Sequence, residues 1–171
     1  NYQRVTNFRN GDQVFTPKWS PDGNEVVFGW SLNEAQDVVR LTVADGKMET
    51  LIPGEEDARN PVYSPDGKRI YFVSDRTGIF NIYTYDVQTK NIDQITNVLG
   101  GAFMPSVNGA GDIAFASYTS GGFKLNLLRA ASPQNFLSNE YLADALKTIA
   151  PSDTAGSGTG MDWAKLRSYD D

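Results

Sequence analysis

The feature that most constrains this chain is a proline that recurs at a fixed interval. Pro17, Pro61 and Pro105 stand 44 residues apart each time. The first two lie at the same point of one pattern, in which an aromatic residue is followed by Ser-Pro-Asp-Gly and an alternating apolar run. A period of about 40–45 residues is typical of a four-stranded sheet repeated around an axis. The sequence therefore predicts one structural unit built several times.

The second copy, from Asn60 to Asn97, shows the unit most clearly. Turn residues at Pro65-Asp66-Gly67 and from Asp75 to Gly78 bound a short alternating run, and Phe80 to Asp86 and Ile92 to Thr96 follow as two further apolar runs. Four antiparallel strands in a unit of about 40–45 residues predict one blade of a β-propeller. The predicted fold class is therefore all-β.

Three copies are visible, near residues 8–53, 54–97 and 98–128, and the third is degenerate. It keeps Pro105 and the last glycine of the turn, loses the aspartate, and is one residue shorter. Ala130-Ala131-Ser132-Pro133 stands where its outer strand should be, so the third blade is predicted to lack that strand. Propellers use about 4–8 blades. About three blades, within 1–131, therefore form an incomplete ring.

These residues resemble the TolB-type β-propeller repeat, a relative of the WD repeat. That repeat is found mostly in bacterial envelope proteins and in the propeller domains of prolyl-oligopeptidase-like peptidases. The shared motif is aromatic-Ser-Pro-Asp-Gly, an alternating strand, Ser-Asp-Arg-Thr-Gly at 74–78, Asn-Ile-Tyr at 81–83 and Gln-Ile-Thr-Asn at 94–97. The resemblance covers roughly Val5 to Leu128. It is specific for the fold and says little about activity, because one propeller scaffold hosts many functions.

Composition excludes several kinds of site. The formal net charge is −6, and Lys and Arg are interspersed with acids rather than clustered, which argues against nucleic acid as a partner. The chain has no Cys and no His, so it lacks thiolate chemistry, the commonest general base and the commonest transition-metal ligand. We expect neither a cofactor nor a metal. A calcium site in the ring would need several convergent oxygens, and each blade offers one turn aspartate at most.

The segment Arg4 to Asn7 echoes Gln94 to Asn97, the outer strand of the second copy. Residues 1–7 are therefore predicted to form an outer strand. That strand either closes the ring by completing the blade at the other end or is the remnant of a truncated preceding blade. Trp19 is predicted to be an apolar wedge between blades.

Residues 132–171 depart from the repeat. Asn139 to Ala150 has helical apolar spacing, 152–160 reads as a Gly/Ser-rich linker, and 161–171 is an acidic tail. No run approaches the roughly 18 apolar residues of a membrane helix, and no signal peptide is visible. Because Asn1 is not a start methionine, we expect a processed, cleaved or truncated chain.

The candidate binding residues are Phe15, Arg59 and Phe103, two residues before each repeat proline. In the family this strand lies nearest the ring axis, so the resemblance implies that these side chains reach the central channel. Arg59 between two aromatic residues could then hold a carboxylate or stack on a ring. The alternative is that Phe15 and Phe103 pack between blades while Arg59 pairs with Asp57 or Glu56.

Two functions from different classes follow. The first is a non-catalytic interaction or scaffold module of a bacterial cell-envelope or secreted protein, periplasmic, associated with the outer membrane or its proteins, or extracellular. Its partner would be another protein, or remaining blades from the same precursor or another chain. The second is the gating propeller portion of a prolyl-oligopeptidase-like serine peptidase whose catalytic residues lie outside this chain. A propeller hydrolase with calcium in its channel is disfavoured, because it would need acids at the positions of Phe15, Arg59 and Phe103.

Overall fold

A computed structural model describes residues 2–9, 11–32, 35–53, 56–129 and 131. The helix, linker and tail predicted within 132–171 lie outside these residues. The predicted domain division at 131/132 stays a prediction for the same reason.

The described chain forms eleven strands in three antiparallel sheets, each following chain order from its first strand outward. We call these sheets blades one, two and three. Blade one consists of β1 (Gln13–Trp19), β2 (Glu25–Ser31), β3 (Asp37–Thr42) and β4 (Met48–Ile52). Blade two consists of β5 (Ala58–Tyr63), β6 (Arg69–Ser74), β7 (Asn81–Asp86) and β8 (Ile92–Gln94). Blade three consists of β9 (Ala102–Val107), β10 (Ile113–Thr119) and β11 (Gly122–Leu128).

The first turn of each blade is closed by hydrogen bonds between a side chain and the local backbone. The Ser64 hydroxyl donates to Asp66 over 2.7 Å and accepts the Arg69 amide over 2.9 Å, and Ser20 makes the same two bonds in blade one. In blade three the Asn108 side-chain oxygen accepts the amides of Ala110 and Asp112. Side chains that bond to the local backbone favour turns over continued strands. The degenerate third copy therefore keeps its hairpin with different residues.

The blades pack face to face through two apolar cores. Alternation along each strand sends neighbouring residues to opposite faces. Phe72 of blade two therefore packs on Val27 and Val38 of blade one, whereas Tyr71 faces Ile113 of blade three. A backbone hydrogen bond crosses each junction at the same repeat position: Ala58 N to Gln36 O is 2.7 Å, and Ala102 N to Phe80 O is 2.8 Å.

The predicted incomplete propeller is confirmed, and blade three has three strands in the described residues. Residues 2–7 form no strand in the described chain, and the outer strand predicted in 1–7 stays a prediction. Phe8 packs instead on blade one, with its ring centroid 6.4 Å from Phe28 and 6.2 Å from Trp30. Trp19, which was predicted to be an apolar wedge between blades, is 62% exposed in the described chain.

Candidate functional site

The three first strands β1, β5 and β9 lie together at the inner side of the blades, and each carries a β-bulge before or at its repeat proline. Thr16, Asn60 and Met104 stand at the bulges with φ values of 45°, 49° and 52°. These angles lie in the left-handed region, which residues other than glycine seldom adopt. Its recurrence every 44 residues shows that the backbone distortion belongs to the repeat.

A cavity of about 300 Å³ opens between these bulges. We call its lining apart from the two prolines the axial surface: the exposed Thr16, Lys18, Met104 and Ser106 and the half-buried Asn60. The surface offers the ammonium group of Lys18 and hydroxyl and amide groups that can donate or accept hydrogen bonds. It also offers the thioether of Met104, a residue that is 58% exposed. The structure thus brings hydrogen-bonding, cationic and soft apolar groups from three blades to one place.

The predicted residues Phe15, Arg59 and Phe103 each precede an axial residue and do not line this cavity. Arg59 Nε donates to Asp57 Oδ2 over 2.7 Å, and its guanidinium lies 5.0 Å from the Phe80 ring centroid. Phe80 in turn packs on Phe103, with centroids 5.3 Å apart. The structure therefore brings Arg59 and Phe103 together through Phe80, at the junction of blades two and three.

Phe15 is separate from that cluster. It pairs with Gly29 across the β1–β2 ladder and is half-buried. The Arg59–Asp57 pair and the packing of Phe103 at a blade junction match part of the packing alternative raised from the sequence, whereas the contact described for Phe15 lies within blade one. A binding role for them stays a prediction.

Asp57, the partner of Arg59, lies at the junction of blades one and two. Its carboxylate accepts Arg59 and the Gln36 amide, the latter over 3.2 Å, and its own amide donates to Asp75 over 3.0 Å. The charge-assisted hydrogen bond that Arg59 donates to Asp57 raises the pKa of Arg59, despite the opposing effect of partial burial. Arg59 is therefore a fixed cation held by its own blade.

The Ser-Asp-Arg-Thr-Gly motif builds a second cluster, on the outer part of blade two. Arg76 is 6% exposed, lies 5.1 Å from the Tyr83 ring centroid and 5.6 Å from that of Phe72, and donates to Glu56 over 2.8 Å. Burial lowers the pKa of Arg76, partly offset by the Glu56 charge. An arginine buried between rings and a carboxylate fills space as well as carrying charge.

Blade three has a groove at the corresponding place. Thr119 replaces Arg76, Asn126 replaces Tyr83 and Gly100 replaces Glu56 in the repeat alignment. These three residues line a mainly apolar cavity of about 740 Å³, together with Val98, Leu99, Phe115, Ser117, Tyr118, Ser120, Leu127 and Leu128. Smaller side chains at repeat-equivalent positions therefore open a space that blade two fills.

The two serine hydroxyl groups that lie within hydrogen-bonding distance of an aspartate already make hydrogen bonds that close turns. Ser20 and Ser64 each donate to their turn aspartate while accepting a backbone amide, so neither is arranged as an activated nucleophile with a base. Within the described residues, no group of three or more acidic side chains converges as a metal site. The same residues contain no helix long and apolar enough to cross a membrane.

Stacked four-stranded sheets with a shared inner axis define a β-propeller repeat protein. The chain belongs to the TolB beta propeller domain family, whose model matches residues 1–155. The family resemblance drawn from the sequence is thereby confirmed.

Two related sequences and one solved structure show how similar the chain is to known proteins. The chain is 33% identical over 106 residues to the uncharacterized protein Atu1656 of Agrobacterium fabrum, covering 61% of this chain and 36% of that protein. It is 33% identical over 88 residues to the Tol-Pal system protein TolB of Francisella tularensis subsp. mediasiatica, covering 48% of this chain and 20% of TolB. The solved structure of a TolB homologue from Agrobacterium tumefaciens superposes with a TM-score of 0.63 at 26% identity, covering 70% of this chain and 46% of that one.

The chain thus spans between about a fifth and about a half of these relatives. A Mycobacterium tuberculosis puromycin-hydrolyzing peptidase also superposes, with a TM-score of 0.57 over 22% of its length. At 18% identity, that likeness shows the fold alone.

Sequence reasoning missed the axial surface and the groove. The period of 44 already aligned Thr16, Asn60 and Met104, but three unlike residues gave no sign that they share a left-handed backbone. The groove was readable only by comparing the third copy with the second at the motif positions. The link from Tyr63 of blade two to Glu25 of blade one, 3.0 Å long, had no sequence signal.

Proposed function

We propose that this chain is a non-catalytic protein-interaction module of a bacterial cell-envelope or secreted protein, and that its partner contacts the axial surface. The protein would be periplasmic, outer-membrane associated or extracellular. Support comes from family membership and from relatives named as Tol-Pal system proteins. The lack of His and Cys in the chain is compatible with a binding role.

One observation carries the choice of surface. Three blades hold a residue at positive φ beside the same cavity. Residues in sparsely populated backbone regions cost about 1–3 kcal/mol each and persist where the surrounding structure fixes them, often at binding sites. A bulge also redirects the side chains beside it. Recurrence of this cost beside one cavity supports the choice of the axial surface as the place where a partner binds.

The chemistry of the axial surface suits a peptide segment of a protein partner. Lys18 can bind a carboxylate, the side chains of Thr16, Asn60 and Ser106 can bond to backbone groups, and Met104 can adapt to an apolar side chain. The lining contains no acidic residue. We therefore expect an uncharged or acidic peptide rather than a basic one.

Site-specific photo-crosslinking tests this function. A benzophenone amino acid is placed at Met104 on the axial surface or, as a matched control, at the exposed Gln88 in the outer hairpin of blade two. We expect a discrete protein adduct from Met104 and none from Gln88 when the protein is irradiated in its native cells. Lys18→Glu should then reduce the adduct several-fold.

Equal labelling from both positions, or none from Met104, would overturn the assignment. Cleavage of prolyl peptides by the natural full-length protein, abolished by a serine-hydrolase inhibitor, would support the gating-propeller alternative instead. These two results are distinct, because hydrolysis needs residues outside the described chain.

A further inference from the structure

A polar cleft lies between the first turn of blade two and the first turn of blade three. Its volume is about 510 Å³, and no residue that lines it also lines the cavity of the axial surface. Blade two contributes Lys68 and Arg69 to its walls, and blade three contributes the turn from Asn108 to Gly111. We call this cavity the interblade cleft.

The junction of blades one and two has a smaller cleft at the same repeat positions, with a volume of about 210 Å³. There the Tyr63 hydroxyl of blade two donates to Glu25 of blade one over 3.0 Å, and both residues line the cleft. Glu25 also pairs with Arg40 at 3.5 Å. The two blades are therefore linked across this smaller cleft by a hydrogen-bonded pair of side chains.

Both members of that link are replaced at the junction of blades two and three. Arg69 stands 44 residues after Glu25, and Val107 stands 44 residues after Tyr63. Because valine has no polar side-chain atom, no side-chain hydrogen bond can join these two positions. The replacement of a carboxylate by a guanidinium also reverses the charge of this wall. The larger cleft therefore presents a cation where the smaller one holds a bonded acid.

The Arg69 guanidinium is half-buried and is not held in an ion pair. In the described part of the chain, no acidic oxygen lies within 4 Å of a charged nitrogen of Arg69 or of the exposed Lys68. Asp86 stands opposite Arg69 in the β6–β7 ladder, but its Oδ1 atom accepts the amides of Gln88 and Thr89 over 3.0 and 2.8 Å. A guanidinium in this state can bind an oxyanion through two parallel hydrogen bonds.

The rest of the lining favours a carboxylate over a phosphate. Asp66 and Asp86 also line the cleft, so its walls carry as many acidic as basic side chains. A phosphate group carries up to two negative charges near pH 7 and would be repelled by these acids more strongly than a carboxylate, which carries one. Pro65 and Val107 offer apolar surface for a carbon chain. The ligand class that fits is therefore a small aliphatic acid.

We propose that the interblade cleft binds a small aliphatic carboxylate, held by Arg69 and Lys68 between blades two and three. The guanidinium donates two hydrogen bonds to the carboxylate oxygens, and the ammonium group donates a third. The carbon chain lies against Pro65 and Val107. The volume of the cleft falls within the range of roughly 300–1,000 Å³ that is typical of small-molecule sites. The bound acid then contacts both blades at the junction that lacks the link between Tyr63 and Glu25.

Calorimetric titration of the natural full-length protein with butyrate tests this site. Butyramide is the matched probe, because it has the same carbon chain without the charge. We expect saturable binding of butyrate, and binding of butyramide that is at least about tenfold weaker. Arg69→Gln should weaken butyrate binding by a similar factor. Lys47→Gln is the matched control, since it removes the same charge from an exposed hairpin of blade one, and it should leave the affinity unchanged.

A second variant copies the smaller cleft into the larger one. Arg69→Glu/Val107→Tyr places the acid and the phenol of the first junction at the equivalent positions of the second, so butyrate binding should be lost while circular dichroism shows an intact fold. Arg69→Gln keeps the test decisive if the double variant fails to fold. Unsaturable titration, equal binding of butyramide, or an unchanged affinity in Arg69→Gln would overturn the proposal. Inorganic phosphate that binds as tightly as butyrate would overturn the assignment to a carboxylate.

Discussion

Blades two and three have the same order of antiparallel strands but differ in strand number and in the side chains at equivalent positions. Blade two has four strands, and Arg76 lies buried between two rings and the Glu56 carboxylate. Blade three has three strands in the described chain and a groove of about 740 Å³ at the corresponding place. The difference teaches that turn bonds and bonds between blades hold the repeat together. The side chains at the Arg76 and Thr119 positions can therefore differ, being buried in blade two and lining an open groove in blade three.

The largest expected effect comes from the buried ion pair of blade two. Arg76→Met should destabilise the fold by about 3–5 kcal/mol, because it leaves Glu56 uncompensated with its side chain only 15% exposed. Urea unfolding followed by tryptophan fluorescence measures this.

The double variant Arg76→Met/Glu56→Gln is the control, and it should recover much of the loss. Thr119→Arg in blade three should change stability by no more than about 0.5 kcal/mol, because Gly100 offers no carboxylate there. A large gain from Thr119→Arg would show that the two blades differ less than described.

A smaller effect is expected from the glycine beside the groove. A Cβ on Gly100 would lie 1.9 Å from the Tyr118 carbonyl oxygen. Gly100→Ala should therefore cost about 1–3 kcal/mol, the range for overpacking. Gly109→Ala is the matched control, since a Cβ there meets nothing within 4 Å. Equal denaturation midpoints for the two variants would contradict the close approach of these segments.

The axial bulges give a still smaller contrast. Met104 and Asn60 have nearly the same positive φ, but asparagine tolerates the left-handed region better than methionine. Met104→Gly should stabilise the fold by up to about 1 kcal/mol, whereas Asn60→Gly should be close to neutral. Thermal unfolding of the two variants compares them directly. A larger gain at Asn60 would contradict the strain assigned to Met104.

The smallest effect concerns the turn aspartate of blade two. The Ser64 hydroxyl and the Lys68 amide lower the pKa of Asp66 in the folded state. Its contribution is therefore present above the unfolded pKa of about 4 and is lost as the pH falls through the folded value. Asp66→Asn should flatten the loss of stability below pH of about 4. An unchanged acid-unfolding profile would show that this bond contributes nothing measurable.

The sequence predicted the fold far better than the site. Proline spacing and Ser-Pro-Asp-Gly turns placed the blades, because turn chemistry is local and apolar alternation has a fixed period. Arg59 and Phe103 lie on the first strands of blades two and three, whereas the cavity is lined by the residue that follows each of them. The geometry of each bulge depends on how the first strand pairs with the second strand of its blade. The residue types at the bulges, Thr16, Asn60 and Met104, do not predict it.

The amino-acid sequence by itself determined the repeat, its antiparallel strands and its family, since each of these is written in local patterns of turn and apolar residues. Only the tertiary structure decided which repeat positions meet. Asp57 bonds to groups of two blades, Arg76 is buried against two rings and a carboxylate, and Thr119 borders a groove at the position that corresponds to Arg76. The physical reason is that contacts between blades join residues tens of positions apart, and their geometry follows from the packing of whole sheets.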